Sequence, residues 1–152
     1  MHLHKKFALV LFSFLFLLAT SLFTSFQTQA ASFNSVYKVA KQKLGSPYVY
    51  GATGPTAFDC SGFTTYVYKR GAKLNLPRTA QAQYSTYKKV AYRNIQKGDL
   101  VFFGYSSLSV THVGMYIGNG KMIDSQNYGV ITEKVKAPWW NYVGAARVTH
   151  LS

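Results

Sequence analysis

The sequence holds a single cysteine, Cys60, among 152 residues, and its surroundings make it a candidate nucleophile. Asp59 precedes it at a position suited to capping a helix, which puts Cys60 in the first helical turn. A helix N-terminus carries roughly half a positive charge, which favours thiolate over thiol. The unpaired N–H groups of that turn also suit an oxyanion. The competing reading is a small buried apolar residue, a common fate for free cysteine. A cysteine nucleophile needs a base. Beyond residue 30 the histidines are His112 and His150. His150 stands two residues from the end, where order is poor. His112 opens the run His112-Val113-Gly114-Met115-Tyr116-Ile117. Val113, Met115 and Ile117 alternate as an apolar strand face, so His112, Gly114 and Tyr116 share the other. The small Gly114 leaves space for a ligand beside the imidazole. A hydrogen-bonded strand histidine without chemistry is the alternative.

The elements that must hold these groups follow from periodicity. Val36, Val39, Ala40 and Leu44 have helical spacing over Phe33–Leu44, with Ser35 as cap and Gly45-Ser46-Pro47 as stop. A second helix runs from Cys60 to about Arg70, with Phe63, Tyr66 and Val67 facing inward and Gly71 ending it. Thr79 caps a short helix that reaches Tyr87. Between the helices, Tyr48–Tyr50 and Leu76–Arg78 are extended, and residues 51–55 form a loop. After Gly98 the pattern becomes strand-like over Leu100–Phe103, Thr111–Ile117, Lys121–Ser125, Gly129–Thr132 and Tyr142–Val148. Helices followed by strands predict an α+β fold, with N-terminal helices packed on a small antiparallel sheet.

Composition narrows the function classes. About half the chain is apolar and 16% is aromatic, which excludes intrinsic disorder. One cysteine excludes an intrachain disulfide framework and a Cys-rich zinc site. Four acidic residues in the whole chain argue against an all-carboxylate metal cage. His2, His4, Lys5 and Lys6 precede an apolar run from Phe7 to Phe23, and a polar stretch then leads to Ala30-Ala31. This is the pattern of a secretory signal over residues 1–30, cut before Ala31, leaving one domain over residues 31–152. The alternative is an uncleaved membrane anchor. Either way the domain faces the outside of a cytoplasmic membrane. The formal charge is +13, yet the basic residues are dispersed and form no nucleic-acid motif. An anionic surface such as a cell-wall polymer is the more natural partner, with general solubility as the plainer explanation.

Six segments, in order, resemble one family. They are Gly45-x-Pro47-Tyr48-x-Tyr50-Gly51, Phe58-Asp59-Cys60-Ser61-Gly62, Leu76-Pro77-Arg78-Thr79, Gly98-Asp99-Leu100-Val101-Phe102-Phe103, His112-Val113-Gly114-Met115-Tyr116-Ile117-Gly118 and Val143-Gly144-Ala145-Ala146-Arg147-Val148. The chain from about Ser32 to Val148 is similar to the NlpC family (NlpC/p60 superfamily) of bacterial cell-wall cysteine peptidases. The resemblance implies a papain-like core and cleavage of peptidoglycan stem peptides, typically between D-γ-glutamyl and the following diamino acid. It implies Cys60 as nucleophile and His112 as base. It implies Tyr48 beside the nucleophile as an oxyanion donor, with Asp59 and Ser61 shaping the substrate site. Arg78 either pairs with Asp59 or faces substrate; an ion pair or turn cap is the structural alternative for both Arg78 and Asp99. Many members carry His at the third catalytic position, where this chain has Asp124, which is able to orient His112. The implied protein acts as a monomer and needs no metal or organic cofactor. Other readings are a catalytically silent wall-binding protein and an amidase or acyltransferase with the same Cys-His pair.

One turn decides whether Asp124 reaches His112. If Asn119-Gly120 is a two-residue type I′ turn, Asp124 lies opposite Met115 on the apolar face. That would bury an acid among Val113, Met115 and Ile117. A three-residue loop with Gly120 left-handed puts Met115 opposite Ile123 and Gly114 opposite Asp124. Since a one-residue slip flips every side chain, the apolar pattern selects the second register. Asp124 then sits diagonal to His112, with Gln126 as its nearest substitute.

Overall fold

In the computed structural model, residues 31–152 are described; the leader expected over residues 1–30 lies outside the described residues. Three helices precede most of the sheet: α1 Phe33–Lys41, α2 Cys60–Ala72 and α3 Ala80–Thr86. The strands are β1 Lys88–Val90, β2 Leu100–Ser106, β3 Ser109–Gly118, β4 Lys121–Gln126, β5 Gly129–Lys134 and β6 Tyr142–Arg147, with a 3-10 turn at Tyr92–Asn94. They form one antiparallel sheet in the order β1-β6-β2-β3-β4-β5. The α+β expectation therefore holds. Among the described residues no helix is long and apolar enough to cross a membrane.

The sheet separates two apolar layers. On one face Leu100, Phe102, Val113, Met115 and Ile123 pack with Val36, Phe63 and Val67 of the helices. On the other, Val101, Phe103, Met122, Val135 and Ala145 are joined by Trp140 and Tyr142. Each strand contributes alternate side chains to the two layers, as the pleat requires.

Several boundaries differ from the sequence expectation. The α1 cap is Ser32, whose hydroxyl accepts from the Ser35 N–H at 3.2 Å, not Ser35. The helix ends at Lys41 rather than Leu44 because the chain turns back to β5, where the Gly45 N–H donates to the Val130 carbonyl at 2.9 Å. Gly71 does not end α2. A Cβ there would lie 2.5 Å from the Val36 backbone, so this glycine lets α1 and α2 cross closely, and Lys73, left-handed at φ 59°, closes the helix. Strands β2 and β3 run on into a hairpin, with register shifts at Gly104. Strand β1, absent from the sequence reading, pairs only with the last strand, β6.

The turn after β3 combines both alternatives. Asn119 (φ 53°) and Gly120 (φ 69°) are both left-handed, as in a two-residue type I′ turn, and Gly118 faces Lys121. An irregularity between Tyr116 and Gly118 then shifts the ladder by one residue, so that Tyr116 faces Met122 and Met115 faces Ile123. The expected register is present, reached by a bulge rather than a three-residue loop. Burial of Met115 and Ile123 among the helices stabilises that register.

Candidate active site

Asp59 organises the start of α2. Its Oδ1 accepts from the Gly62 N–H at 2.7 Å and its Oδ2 from the Gly51 N–H at 3.0 Å. Arg78 grips the same carboxylate with both terminal nitrogens, at 3.1 and 2.5 Å, and donates to Ser61 Oγ at 3.0 Å. Of the two roles left open for Arg78, the geometry shows the pair with Asp59. Burial works against the Asp59 charge, but the hydrogen bonds from Arg78 and Gly62 outweigh it and hold the carboxyl below its usual range. The Asp99–Arg147 pair is a second fork, at 2.8 Å to each carboxylate oxygen, and Asp99 also caps the turn at Gln96. It lies away from Cys60 and serves the sheet.

The consequence for stability has a definite sign. An acid held below its unfolded value stabilises the fold above that value, about 3.9 for Asp, and the contribution disappears as pH falls through the folded pKa. Asp59→Ala removes a helix cap, a change that costs about 1–2 kcal/mol. Urea unfolding at pH 7 is expected to show a loss of that size. The difference from the parent should shrink as the pH is lowered through the acid range.

With Asp59 as cap, Cys60 sits in the first turn of α2 as expected. Its Sγ lies 4.0 Å from the Thr111 carbonyl, so the helix N-terminus meets β3 one residue before His112. Both Cys60 and His112 are 8% exposed. In the first turn, the Gly62 N–H is taken by Asp59 Oδ1 and the Phe63 N–H by the Asp59 carbonyl. The amides of Cys60 and Ser61 are left as donors. Tyr48 borders both Cys60 and His112. Burial, then the neighbouring Cys60 and Asp59, hold its phenol above the ordinary range, so it stays protonated and able to donate.

His112 points to the face away from the helices. Its Nε2 is 2.7 Å from Asp124 Oδ2. A carboxylate oxygen accepts, so Nε2 carries hydrogen and Nδ1 is left for the thiol. The imidazole also stacks on Trp140, with centroids 4.3 Å apart and planes 8° from parallel, and touches Phe103. Burial pulls its pKa down, but hydrogen bonds with Asp124 and Cys60 and their charges prevail, and the pKa is pushed up to about 9. The ring is therefore cationic at neutral pH, and the aromatic face of Trp140 suits that charge.

The glycine beside His112 does not open space for a ligand as expected. A Cβ at Gly114 would lie 2.8 Å from Met122 Sδ and 3.1 Å from Asp124 Cβ. Its smallness makes room for Asp124 itself, which is fully buried. Open space lies to either side. A cavity of about 520 Å³ reaches from His112 and Tyr48 to Tyr128, Trp139 and Trp140. A groove of about 370 Å³ runs from Cys60 and Tyr48 past Ser61 to Arg78 and Tyr50. Gln126, the suggested substitute for Asp124, lines the first cavity and accepts from the Tyr128 N–H.

The structure thus brings together Cys60, His112, Asp124 and Tyr48, with Asp59, Ser61 and Arg78 beneath them. Sequence reasoning missed Trp140. Its only signal is the adjacent pair Trp139-Trp140, the chain's two tryptophans, in a stretch without strand periodicity. Such an arrangement is suited to acyl transfer by a thiolate, with an imidazolium to protonate the leaving group.

The NlpC/P60 family profile matches residues 45–147. Among curated relatives, a protein of Listeria grayi described as "Probable endopeptidase p60" is 45% identical over 124 residues, 80% of this chain and 24% of that protein. A Bacillus subtilis protein described as "Bifunctional muramidase/DL-endopeptidase CwlT" is 40% identical over 111 residues, 71% of this chain and 33% of that one. The chain thus spans a quarter to a third of these relatives. Among solved structures, an NlpC/P60 family protein from Bacillus cereus superposes with a TM-score of 0.73 at 35% identity, covering 78% of this chain and 40% of that one. RipD of Mycobacterium tuberculosis, described as a non-catalytic NlpC/p60 domain protein adapted to peptidoglycan binding, superposes with a TM-score of 0.65 at 27% identity. The match covers 77% of this chain and 97% of that one, so a chain of essentially this domain folds by itself. These structures share the α+β, papain-like architecture described above.

Proposed function

The chain belongs to the NlpC/P60 family, and from that premise we propose that it is an exported, monomeric cysteine peptidase of peptidoglycan stem peptides. The bond we assign is that between D-γ-glutamyl and the following diamino acid. The observation that carries the reading is the 2.7 Å contact of His112 Nε2 with Asp124 Oδ2, which leaves the other ring nitrogen for Cys60. The "DL-endopeptidase" description of the B. subtilis relative supports the choice of bond. The leader pattern of residues 1–30 supports export and cell-wall association, with membrane anchoring if the leader is retained. The net charge of +13 favours anionic wall polymers as neighbours.

In this mechanism the Cys60 thiolate attacks the scissile carbonyl while His112 holds the proton. The amide of Cys60 and the Tyr48 hydroxyl donate to the developing oxyanion. His112 then protonates the leaving amine through Nδ1 and afterwards takes a proton from the water that hydrolyses the thioester. Asp124 keeps Nε2 protonated and the ring in place.

Incubation of purified sacculi with residues 31–152 tests the proposal. New free amino groups accompanied by shortened stem peptides are the expected result. No new amines would leave a binding role like that described for RipD. New amines with intact stem peptides would identify an amidase.

Asp124 contributes a distinct pH signature. Its hydrogen bond and charge both raise the His112 pKa, which is about 9. The proton needed by the leaving amine is lost as pH rises through that value, so the rate should fall on that limb. Asp124→Asn keeps an oxygen for Nε2 but removes the charge, and the alkaline limb should move to lower pH. The loss of rate at pH 7 should be smaller than for Cys60 or His112 variants. A limb unmoved in Asp124→Asn would mean that another group sets it.

A further inference from the structure

Glu133, the only glutamate in the chain, stands in β5 opposite Met122, while Asp124 stands opposite Ile131. Met122, Asp124 and Glu133 therefore share one face, with the two acids on a cross-strand diagonal within reach of a long side chain. Asp124 gives Oδ2 to His112, and its Oδ1 is buried with no partner. Glu133 gives Oε2 to the Trp139 N–H at 3.0 Å, and its Oε1 is likewise buried with no partner. The register puts the two carboxyl groups side by side on that face, each with one buried oxygen left over. Two bare carboxylates so placed would leave both buried oxygens unsatisfied and repelling, which is costly. One hydrogen satisfies both.

We propose that Glu133 is a positioning residue: as a neutral carboxylic acid it donates its Oε1 hydrogen to Asp124 Oδ1 and so fixes the carboxylate that orients His112. The groups facing Glu133 are Asp124 from β4 and the indoles of Trp139 and Trp140 from the segment after β5, with His112 beyond Asp124. Burial, then the Asp124 charge, raise its pKa above the usual value against the pull of the two indoles. Trp140 belongs to the same cluster: it covers the His112 ring with its face, and its buried indole N–H has no hydrogen-bond partner. The line from Cys60 through His112 and Asp124 thus continues one residue further, into β5.

The kinetic consequence rests on the peptidase reading; the titration does not. With glutamate labelled by ¹³C at the carboxyl carbon of residues 31–152, one glutamate signal reports Glu133. It should stay in its acid form well above the free value of about 4.3, and Asp124→Asn should lower its midpoint. A midpoint at the free value, or one indifferent to Asp124→Asn, overturns the proposal. In hydrolysis, Glu133→Leu should lower kcat by about tenfold, the scale of a misplaced catalytic group, with KM unchanged. Glu133→Gln, whose amide is able to donate to Oδ1, should restore most of the rate. Equal losses in both variants, or no loss in either, count against the proposal. A parent chain that hydrolyses nothing, with the titration as expected, overturns the peptidase reading and leaves the Asp124–Glu133 bond standing.

Discussion

Cys60→Ala is expected to abolish hydrolysis while the domain stays folded. No other thiol exists in the chain to replace it, and the water that remains is a far weaker nucleophile, so the rate should fall by about 10⁴-fold or more. The side chain is small, and apart from its interaction with His112 its Sγ makes a long contact with the Thr111 carbonyl. Loss of one buried heavy atom costs about 1 kcal/mol. The Asp59 cap and the Arg78 fork that hold the start of α2 are untouched. Circular dichroism and thermal unfolding should therefore be close to the parent while muropeptide release disappears. Lysis at near the parent rate would remove Cys60 from the mechanism.

His112 should be nearly as sensitive, but the choice of substitution matters. Asp124 is fully buried and His112 is its ion-pair partner. Truncation to Ala would leave a buried charge unpaired, a change that costs about 3–5 kcal/mol. Activity lost through unfolding would then mimic activity lost through chemistry. His112→Gln retains a donor for Asp124 Oδ2 and keeps some contact with Trp140, so it separates the two. We expect it to fold and to lose about 10³-fold or more in kcat, since neither proton transfer nor thiolate pairing survives. The double variant Cys60→Ala/His112→Gln should be no slower than Cys60→Ala, because residues acting as one unit are not additive. Losses that multiply would show the two side chains working independently.

How much of this was legible in the sequence depends on the range of the interaction involved. Cys60 at the start of α2 was legible because a cap is a local feature, set by Asp59 and the turn it closes. The reach of Asp124 to His112 was legible because Val113, Met115 and Ile123 have to be buried, and this fixes the register whatever form the turn takes. The bulge near Ile117 that achieves it left no composition signal. Gly71 and Gly114 were misread for one reason: a glycine reports that something is close, not what. The first admits α1, the second Asp124. Glu133 and Trp140 could not be placed without β5 and the segment after it, since a diagonal neighbour and a stacked ring are consequences of tertiary packing. Strand β1 is three residues long and pairs only with β6, more than fifty residues later, so nothing local marks it.

The insertion of the C-terminal strand β6 between β1 and β2 has a consequence for the order of folding. The ladder from β2 to β5 can assemble as successive hairpins, each closing a short loop. The β1 edge cannot join until Tyr142–Arg147 has been synthesised and threaded into place. The same holds for the pairing of residues 31–33 with Ser152, where the Phe33 N–H donates to the Ser152 carbonyl and the Ser152 N–H to the Ala31 carbonyl. Closing loops of that length makes the last step the slow one. A nascent chain of this sequence therefore stays short of its native state until β6 has emerged, with the β2 edge that β6 will cover left open to a chaperone in the interval.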